Sequence, residues 1–517
     1  MSEPAAAPAV QQKLGLFDAT MLVAGSMIGS GIFIVSADIS RDVGSSGWLL
    51  LVWILTGVLT IIGALSYAEL AAMMPNAGGQ YVFLREAYGS VWGFLYGWTS
   101  FLVIQTGFIA AVSIAFAKFL GVLVPQLSES HFLWQNESIG MGELRLPVPW
   151  LSEPIKFFPA KHLAISSGQL IAVGLTILLT AINTLGIEMG RLVQNIFTVS
   201  KLLGLALLIV LGLTIAANSD AIHQNIANVW SGITSTETVA TTQSTFPKFP
   251  FEVVIVMVLS GAMVGSLFSA DAWNNVTYVA HEVKNPHRTL PWGLFLGTVI
   301  VITLYVLANL AYLAALPQHG VKDAPTAFER GIDHAKNDRV GTAVLEEVSP
   351  RFGVSLMAII IMISTFGCVN GLTLMGPRLY YAMARDGLFF QSVGKLNANR
   401  VPATGLWLQC AWSIVLIFSG SYNELLDYII FAALMFYILT VSAVFVLRAK
   451  RPDADRPYRA WGYPVLPAIY IVLCAVIMLS LLVVKPVYSW PSFIIVLAGI
   501  PVYYLWRALN RGSPLAA

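Results

Sequence analysis

The sequence predicts an all-α integral membrane protein with 12 transmembrane helices, and two observations support this prediction. Hydrophobic residues make up 57% of the 517 residues and charged residues only 11%, whereas an ordinary soluble domain carries roughly 25% charged residues. Apolar runs of about 20 residues recur along the chain, and each is long enough to cross a hydrocarbon core of about 30 Å. About 12 such runs are present, near 17–40, 48–74, 90–122, 163–184, 191–216, 250–281, 290–316, 352–383, 404–420, 424–448, 463–484 and 490–508.

Three polar segments interrupt the predicted helices, near 125–162, 217–249 and 317–350. None is long enough to form an independent domain, because domains rarely have fewer than about 50 residues. The sequence therefore predicts a single membrane domain with short extensions. These parts are a cytoplasmic tail at 1–13, a core at 14–450 with helices 1–5 near 14–216 and helices 6–10 near 250–448, two further helices at 451–510, and a cytoplasmic tail at 511–517.

The loops that hold Lys and Arg predict the orientation of the chain, because these residues favour the cytoplasmic side of a membrane. With a cytoplasmic N-terminus, about 17 of the 29 Lys and Arg residues fall on the inner side. Both termini are therefore expected in the cytoplasm, and the basic cluster at 448–459 is expected to set topology rather than to bind a specific lipid. The residues up to Gln12 lack the order of a cleaved signal, so helix 1 is expected to be retained.

Several functional classes find no support in the sequence. Cys368, Cys410 and Cys474 are the only cysteines and all fall within predicted helices, so neither a disulfide framework nor a metal site is expected. No G-x-x-x-x-G-K-[ST] loop is present to hold a nucleotide, and no pair of nucleophile and base suggests an enzyme. The net charge of +2 gives no reason to expect a nucleic-acid partner, and no cofactor is expected. Transport across the membrane, driven by a gradient or by exchange, is the class that fits.

Two of the predicted helices contain stretches rich in Gly and Ser, at 25–31 and 265–271. Backbone groups freed within hydrocarbon are costly, so an unwound stretch survives only where it lines a cavity. A pair of such breaks in corresponding halves of a chain indicates the binding site of a transporter. The alternative interpretation is a helix-packing seam, which also uses small residues.

A weak internal similarity supports two repeats. Residues 25–30 (GSMIGS) align with residues 261–266 (GAMVGS). An odd number of predicted helices separates the two copies, so the second would be inverted relative to the first. A chance match of small and apolar residues is the alternative explanation.

Six segments together resemble the L-type amino acid transporters of the amino acid–polyamine–organocation superfamily. They are 29–33 (GSGIF), 63–70 (GALSYAEL), 78–81 (GGQY), 200–203 (SKLL), 272–274 (AWN) and 285–291 (NPHRTLP). The resemblance extends from about Leu14 to Arg507. It implies a LeuT-like fold of two inverted five-helix repeats plus two further helices, with helices 1 and 6 unwound and with alternating access to a central amino acid site.

The first break offers two kinds of backbone group to an amino acid. The N–H groups of Gly29, Ser30 and Gly31 lie at the N-terminal end of a half-helix, where the helix dipole favours a carboxylate. The carbonyl groups near Ser26 and Met27 end the preceding half-helix and suit an ammonium group. Glycine is expected here because a side chain would hold a carboxylate away from the backbone.

The second break is expected to complete the site. Carbonyl groups near Phe268 and Ser269 would contact the ammonium group, and Phe268 resembles the aromatic lid of the family, although core packing would also explain it. Trp273 resembles a gating residue and is also explained as packing beside the site. Asn274 is expected either to meet the substrate side chain or to be structural.

Two charged residues within predicted helices point to substrate class and coupling. Asp271 at membrane depth is costly, and we expect it to bind a cationic group or to take up a proton, or else to cap the second half-helix. Lys201 resembles the family lysine that replaces a sodium ion by tying helix 1 to helix 8, which implies sodium-independent transport. The alternative for Lys201 is a side chain that extends to the membrane interface.

The remaining charged residues of the helices give weaker indications. Glu69 and Arg378 lie near cytoplasmic ends, where ordinary salt bridges and gating are both open. His281 stands where the family usually has an acid, so the cytoplasmic gate implied by the resemblance is in doubt there. Glu282 is the expected partner of a nearby basic residue.

The sequence thus predicts a secondary transporter of L-amino acids, expected to be a sodium-independent exchanger in a bacterial inner membrane. The alternatives are a proton symporter, an exchanger of arginine or polyamines that uses Asp271, and a membrane receptor that binds amino acids. Residues 123–162 contain no cysteine, whereas light subunits of this family carry one there. We therefore expect membrane lipids and small-molecule substrates as partners, and no disulfide-linked heavy subunit.

Overall fold

The structure is a computed structural model of the chain. It describes residues 12–128, 131–141, 144–146, 155–158, 161–227, 229–419 and 422–509, and at 136–163 it describes the backbone alone. Apolar helices dominate these residues, and they form one large hydrophobic core and a small separate cluster of Ile233, Val239, Val254 and Val258. The single membrane domain predicted for the chain stays a prediction.

Eleven of the helices in the described residues are long and apolar enough to cross a membrane, and a twelfth is shorter. We number them in chain order as α1 (Leu16–Ile34), α2 (Ser46–Met73), α3 (Ser90–Leu123), α4 (Ser167–Thr184), α5 (Ile187–Leu213), α6 (Phe251–Glu282), α7 (Pro286–Ala315), α8 (Phe352–Arg385), α9 (Ala403–Ser419), α10 (Tyr422–Lys450), α11 (Val465–Val484) and α12 (Pro486–Leu509). They fall on the predicted apolar runs, so the protein is a multi-pass membrane protein.

Shorter helices connect these spans. The α-helical ones are Ser36–Val43, Gln80–Tyr88, Ser219–Ala227, Glu237–Thr245, Ala327–Arg330 and Val340–Val348. The 3₁₀ turns are Pro125–Leu127, Gly232–Ser235, Lys336–Asp338 and Gln391–Gly394. A π-helical turn, Ser100–Ile104, lies inside α3, and such turns are frequent at functional sites.

The prediction of an all-α chain is wrong in one segment. Four strands, β1 (Phe132–Met141), β2 (Leu144–Leu146), β3 (Ile155–Phe158) and β4 (Lys161–Ser166), form two antiparallel pairs, β1 with β4 and β2 with β3. This segment contains Pro147, Pro149 and Pro154, and proline removes a donor from a helix interior.

The start of α1 and the end of α6, the two helices with Gly- and Ser-rich stretches, lie side by side at one end of the bundle. The backbone at Leu14, just before α1, forms a parallel bridge with Val283, just after α6. The N–H groups of Lys13 and Leu14 both donate to the carbonyl of Glu282, at 2.9 and 3.0 Å. Since α1 begins at this face and α6 ends there, the two helices run in opposite directions. We call this end of the bundle the Leu14 face and the other end, where the helix after α1 stops at Gly44, the Gly44 face.

Small residues bring α7 against α1. A Cβ atom on Gly293 would lie 2.9 Å from Cβ of Ala19, and one on Gly297 would lie 2.5 Å from Cβ of Val23. The spacing of the two glycines is that of a G-x-x-x-G motif, which lets two membrane helices approach closely. This contact places one face of α7 directly along the first helix.

That face of α7 carries three polar side chains at helical spacing. Tyr305, Asn309 and Tyr312 lie at positions i, i+4 and i+7, and residues at these intervals share one side of a helix. The hydroxyl of Tyr312 donates to the carbonyl of Ile32 at 3.1 Å, and the amide oxygen of Asn309 accepts from Ser36 at 2.7 Å. The stripe therefore follows the backbone of the first helix across the centre of the bundle.

Candidate functional site

Helix α1 consists of two pieces, Leu16–Met27 and Gly31–Ile34, with Ile28 in an extended conformation after the first. The helix therefore continues through the first three residues of the predicted stretch 25–31. Gly25 has a packing role, because a Cβ atom there would lie 2.1 Å from Oγ1 of Thr198. Gly25 therefore acts as a small residue of a helix-packing seam. Residues 28–30 are the ones that lie outside the helix.

Helix α6 is interrupted later than the stretch 265–271 suggested. Its α-helical part continues to Ser269, Ala272 has a positive φ of 65°, and a 3₁₀ helix follows at Trp273–Glu282. Gly265 lies within this helix, and a Cβ atom there would approach Cβ of Val35 to 2.9 Å, so the glycine permits close packing. The non-helical residues are therefore 270–272, displaced toward the Leu14 face.

Side chains from neighbouring helices lie within hydrogen-bond distance of each backbone carbonyl from Gly25 to Gly29, and the single hydroxyl protons of Tyr305 and Ser364 are each shared between two carbonyls. The donors come from α5, α7 and α8, so the scaffold holds the interruption from three sides. The bonds are Lys201 to Gly25 at 2.7 Å, Cys368 to Ser26 at 3.0 Å, Tyr305 to Met27 at 3.0 Å, Lys201 and Ser364 to Ile28 at 2.8 and 3.1 Å, and Ser364 to Gly29 at 3.0 Å.

Three backbone N–H groups at the end of this segment, unlike its carbonyl groups, have no hydrogen-bond partner in the described chain. The backbone N–H groups of Gly29, Ser30 and Gly31 make no hydrogen bond there. All three residues are buried. A buried N–H group without a partner is rare in proteins. The interruption in α1 thus presents unpaired donors beside acceptors that already have donors, a combination that suits an anion.

The two interruptions touch one another. A Cβ atom on Gly31 would lie 2.0 Å from Oγ and 2.8 Å from Cβ of Ser269. The hydroxyl of Tyr305 lies 3.0 Å from the carbonyl oxygen of Met27 and 3.0 Å from that of Ser269. Gly31 is therefore required by the close approach of α1 and α6, in addition to any role in leaving room for a ligand.

Lys201 lies deep in the bundle and does not extend to an interface. It is buried, and its ammonium group donates to the carbonyls of Gly25 and Ile28. Its contact with α8 is through packing, since a Cβ atom on Gly367 would lie 3.2 Å from Cε of Lys201. Lys201 thus fixes the interruption in α1 from the side of α5.

Phe268 lies in a cluster of aromatic rings at the Gly44 side of the interruptions. Its ring stacks on Phe108 with centroids 4.7 Å apart and meets the edge of Tyr422 at 5.9 Å. The hydroxyl of Ser30 donates to the hydroxyl of Tyr422 at 3.0 Å. The cluster therefore closes over Ser30, and the residues it covers are buried.

Asp271 lies between the α-helical and the 3₁₀ parts of α6 and is 4% exposed. Its Oδ1 atom accepts from the N–H of Ala272 at 2.6 Å and from the hydroxyl of Tyr437 on α10. Its Oδ2 atom is buried and has no hydrogen-bond partner among the described residues. One oxygen therefore caps the backbone while the other is available to a donor.

A narrow polar cavity adjoins Asp271. The amide of Asn274 reaches it and donates to Oε1 of Gln80 at 2.8 Å. A second, more apolar cavity lies on the other side of Asp271 and Tyr437, where Trp273 packs. The lining of the polar cavity is Gln80, Tyr96, Ile104, Gln105, Phe108, Asp271, Ala272, Asn274, Asn275, Tyr278, Ala433 and Tyr437.

Trp273 packs on aromatic rings and has no described hydrogen bond. Its ring meets the edge of Tyr67 at 4.8 Å and stacks on Tyr437 at 5.6 Å. Trp273 thus supports Tyr437, which in turn bonds Asp271.

Charged residues form ion pairs at the Leu14 face. Glu282 pairs with Arg378 of α8 across 3.1 Å, and His281 lies 3.6 Å from the same carboxylate. Glu69 accepts from Arg448 at 2.9 and 2.7 Å through its two oxygens. Within the part of the chain that the structure describes, no group of three or more His, Cys, Asp and Glu residues could hold a metal ion.

Sequence reasoning missed several residues that organise this site. Tyr305 and Tyr437 bond the interruptions directly, and Ser364 and Cys368 hold the carbonyls of α1. The sequence could have indicated Tyr305, because this residue begins the polar stripe on α7, a helix that is otherwise apolar. The partners of the other three come from distant segments, and no local pattern identifies them.

Comparison with known proteins agrees with this architecture. A family model of amino acid permeases matches residues 14–505. The chain is 29% identical over 501 residues to large neutral amino acids transporter small subunit 2 of Mus musculus, covering 96% of this chain and 81% of that protein. The human protein of the same name gives the same identity and coverage. The b(0,+)-type amino acid transporter 1 of Mus musculus is 26% identical over 499 residues, covering 96% of this chain and 88% of that protein.

These relatives are transporters and not enzymes, in agreement with the prediction from the sequence. The family model extends over nearly all the residues that form the twelve apolar helices of the described chain. The resemblance found in the sequence motifs is thereby confirmed, and the chain belongs to the amino acid permease family.

Proposed function

We propose that the protein is a secondary active transporter that carries L-amino acids across the cell membrane by alternating access. The observation that carries the proposal is the set of unpaired, buried N–H groups at Gly29, Ser30 and Gly31. A substrate carboxylate would accept from them, and charge-assisted bonds of this kind are strong. The relatives named above are transporters of amino acids by name, which supports the same substrate class.

We propose further that the chain has two inverted five-helix repeats followed by two helices, with α1 and α6 discontinuous. The opposite directions of α1 and α6 and the non-helical residues 28–30 and 270–272 support this arrangement. In such folds the interruptions lie near the middle of the membrane and form the substrate site. The parts predicted for the chain, with helices 1–5 near 14–216 and helices 6–10 near 250–448, belong to this proposal.

The free oxygen of Asp271 favours substrates with a positive group. A buried carboxylate oxygen without a donor is costly, and a cationic side chain would supply one. Polar side chains beside this oxygen, including that of Asn274, would supply further hydrogen-bond partners to such a group. We therefore infer that the transporter accepts cationic amino acids in addition to neutral ones.

Lys201 supports a mechanism without sodium. Its ammonium group already supplies positive charge to the carbonyls of Gly25 and Ile28, so a cation there would meet repulsion. Exchange of one amino acid for another is the coupling mode we propose, because the central residues are all buried and substrate would stabilise the change between states. A proton taken up by Asp271 is the competing mode.

The proposed setting is the cell membrane of a bacterium, with both termini and the Leu14 face in the cytoplasm. The basic cluster at 448–459 lies at the end of α10 and supports this orientation. The relative named above is called a small subunit, a name that implies a partner subunit for that protein. All three cysteines of this chain are buried, and we therefore propose that any such partner is held without a disulfide.

Purified protein in liposomes tests the proposal. Uptake of radiolabelled L-leucine and L-arginine is measured with and without unlabelled amino acid inside, in sodium and in choline buffers. We expect uptake only with internal amino acid, and equal rates in the two buffers. Uptake into empty liposomes that rises with a proton gradient would support symport, and binding without uptake would support a receptor.

The variant Asp271→Asn tests the role of the carboxylate. We expect arginine uptake to fall at least tenfold while leucine uptake changes less, because one charge-assisted bond is worth about 1.5–3 kcal/mol. Asp453→Asn, a change at an exposed residue, serves as the matched control. Equal effects on arginine and leucine would leave Asp271 with a capping role alone.

A further inference from the structure

A cavity at the Leu14 face lies in the connection between α10 and α11. Its volume is about 220 Å³, and its lining is Arg448, Pro452, Arg456 and Arg459. Three of these four residues are arginines, and no carboxylate of the described chain belongs to the lining. A guanidinium group matches the geometry of a phosphate, to which it can donate two parallel N–H bonds. The lining therefore suits a ligand that carries a phosphate group.

Arg456 fixes the shape of the cavity. Its side chain is only 7% exposed, and its Nε atom lies 3.5 Å from Oε1 of Glu69 on α2. Its two terminal nitrogens donate over 2.7–3.1 Å to the backbone carbonyls of Leu447, Arg451, Pro452 and Ala454. All four N–H bonds of these nitrogens thus have an acceptor. Arg456 therefore supplies a rigid wall and a positive charge, and leaves the binding of a ligand to the other two arginines.

Those two arginines, Arg448 and Arg459, have unused donors. Arg448 binds Glu69 through Nε and Nη2, at 2.9 and 2.7 Å, while its Nη1 atom makes no hydrogen bond within the described residues. The ring of Tyr463 lies 3.7 Å from the guanidinium carbon of Arg448 and helps to hold this group in place. The guanidinium group of Arg459 has neither a hydrogen bond nor an ion pair in the same part of the chain. A ligand in the cavity would therefore find free donors on both residues.

The charges around the cavity favour an anion. Residues 448–459 contain five Lys and Arg residues and two acidic residues, which are exposed and do not line the cavity. Glu69 and Glu86 pair with three of the cations. Five cations thus stand against four carboxylates, and within the described residues Arg459 is the cation without a partner. The two exposed carboxylates are screened by water and salt, so the lining keeps a positive potential.

The cavity borders the surface that faces lipid. Trp461, two residues after Arg459, is 72% exposed, and tryptophan is enriched where a membrane meets water. Helix α11 begins at Val465, and its apolar residues Val465, Ile469 and Val472 are exposed. Since the end of one membrane helix and the start of the next flank the cavity, it lies at the level of the lipid headgroups.

We propose that this cavity binds the phosphate group of an anionic phospholipid, with Arg448 and Arg459 as donors and Trp461 against the lipid beside it. Basic pockets at the cytoplasmic ends of membrane helices bind such headgroups. A dissolved phosphate ion offers the same chemistry to the arginines, but it would gain nothing from Trp461 and the apolar surface of α11. Binding here is separate from transport at the central site and does not depend on it.

Melting temperatures in a neutral detergent test the proposal, because a ligand that binds the folded protein raises them in proportion to its affinity. The probes are dihexanoylphosphatidylglycerol, dihexanoylphosphatidylcholine and inorganic phosphate. Apparent dissociation constants are measured for the wild type, for Arg459→Gln and for Arg385→Gln. Arg459→Gln removes a charge of the cavity without removing any described hydrogen bond. Arg385→Gln is the matched control, because it removes the same charge from an exposed residue at the end of α8.

We expect phosphatidylglycerol to bind Arg459→Gln at least about tenfold more weakly than the wild type, because a charge-assisted bond to the phosphate is lost. Arg385→Gln should change this affinity less than about twofold, since its charge is screened at that distance. Phosphatidylcholine, whose phosphate is balanced by its own choline group, should bind the wild type about tenfold more weakly than phosphatidylglycerol.

Equal weakening by the two variants, or equal affinity of the wild type for the two lipids, overturns the site. Inorganic phosphate that binds as tightly as phosphatidylglycerol overturns the lipid as the ligand. Should Arg459→Gln fail to fold, hydrogen exchange of the wild type carries the test. Residues 448–463 should exchange more slowly in nanodiscs that contain phosphatidylglycerol than in nanodiscs of phosphatidylcholine alone, while residues 386–394 should exchange alike in both. Equal exchange of residues 448–463 in the two kinds of nanodisc overturns the proposal.

Discussion

The guanidinium group of Arg378 and the carboxylate of Glu282 form a buried ion pair, with 3.1 Å between Nε and Oε1. The side chains are 3% and 8% exposed. The backbone carbonyl of Glu282 also accepts from the N–H groups of Lys13 and Leu14. This pair therefore joins α8, the end of α6 and the start of α1 at the Leu14 face.

The variant Glu282→Gln should destabilise the protein. It leaves the charge of Arg378 buried without a partner, and breaking a buried pair in this way costs about 3–5 kcal/mol. Thermal unfolding in detergent measures the effect as a lower melting temperature. The exposed pair of Lys13 and Glu188, whose carboxylate side chain is 67% exposed, provides the control. Glu188→Gln should cost about 1 kcal/mol or less. Equal melting temperatures for the two variants would contradict the argument.

Gly31→Ala should abolish transport while the protein still folds. The added Cβ would overlap Oγ and Cβ of Ser269, so α1 and α6 would have to separate at the substrate site. Overpacking of this kind costs about 1–3 kcal/mol. Uptake in liposomes and the elution profile of the purified protein measure the two effects. Gly174→Ala, where no atom lies within 4 Å of the added Cβ, should keep full uptake. Normal transport by Gly31→Ala would show that this contact is not needed.

The apolar runs predicted the positions of the membrane helices because length and hydropathy are local properties of the sequence. The end of the α-helical part of α6 was predicted too early in the chain, because it depends on contacts between residues that are far apart in the sequence. Gly265 belongs to the helix because its missing side chain makes room for Val35, a residue far away in the sequence. A glycine that permits packing and a glycine that ends a helix look the same until the partner is known.

The residues of the central site could likewise be predicted only in part from the sequence. The residues of α1 and α6 could be named in advance because small and polar residues are conspicuous in apolar runs. The side chains that donate to the carbonyl groups of α1 could not be named in advance, since Ser364 and Cys368 are ordinary residues of a membrane helix. Tyr437 was missed because its importance comes only from its contact with Asp271. Partners across helices follow from the packing, which the sequence alone does not contain.

Lys201→Met should abolish uptake and should not be rescued by sodium. The carbonyl of Gly25 would lose its only described donor, and a buried carbonyl without a partner costs about 1–3 kcal/mol. Uptake by the wild type should be the same in sodium and in choline buffers. Lys248→Met, at an exposed residue, should behave as the wild type. Uptake by the wild type that increases with sodium would contradict the role given to Lys201.

His319 makes two hydrogen bonds at the Gly44 face, and their strength depends on pH. Its Nδ1 atom lies 3.2 Å from Oδ2 of Asp333 and its Nε2 atom lies 2.9 Å from the carbonyl oxygen of Gly44. Both partners are acceptors, so both bonds require the protonated ring. The hydrogen bond to Asp333 raises the pKa of His319 above its usual value, and the bond to Gly44 adds to this effect while partial burial opposes it. Arg41, Asp38 and Asp338 are the other charged groups of this cluster.

A raised pKa means that the folded protein binds this proton more tightly than the unfolded chain does. The stabilisation is therefore complete below the unfolded pKa of about 6.5 and is lost as the pH rises through the higher folded value. We expect a loss of about 0.5–1 kcal/mol, because the histidine is largely exposed. Hydrogen exchange of the segment around His319 should accordingly be faster at pH 8 than at pH 6, beyond the intrinsic effect of pH. His319→Gln should remove this difference and His223→Gln, at an exposed residue, should keep it. Exchange that slows with rising pH in the wild type would reverse the sign and refute the assignment.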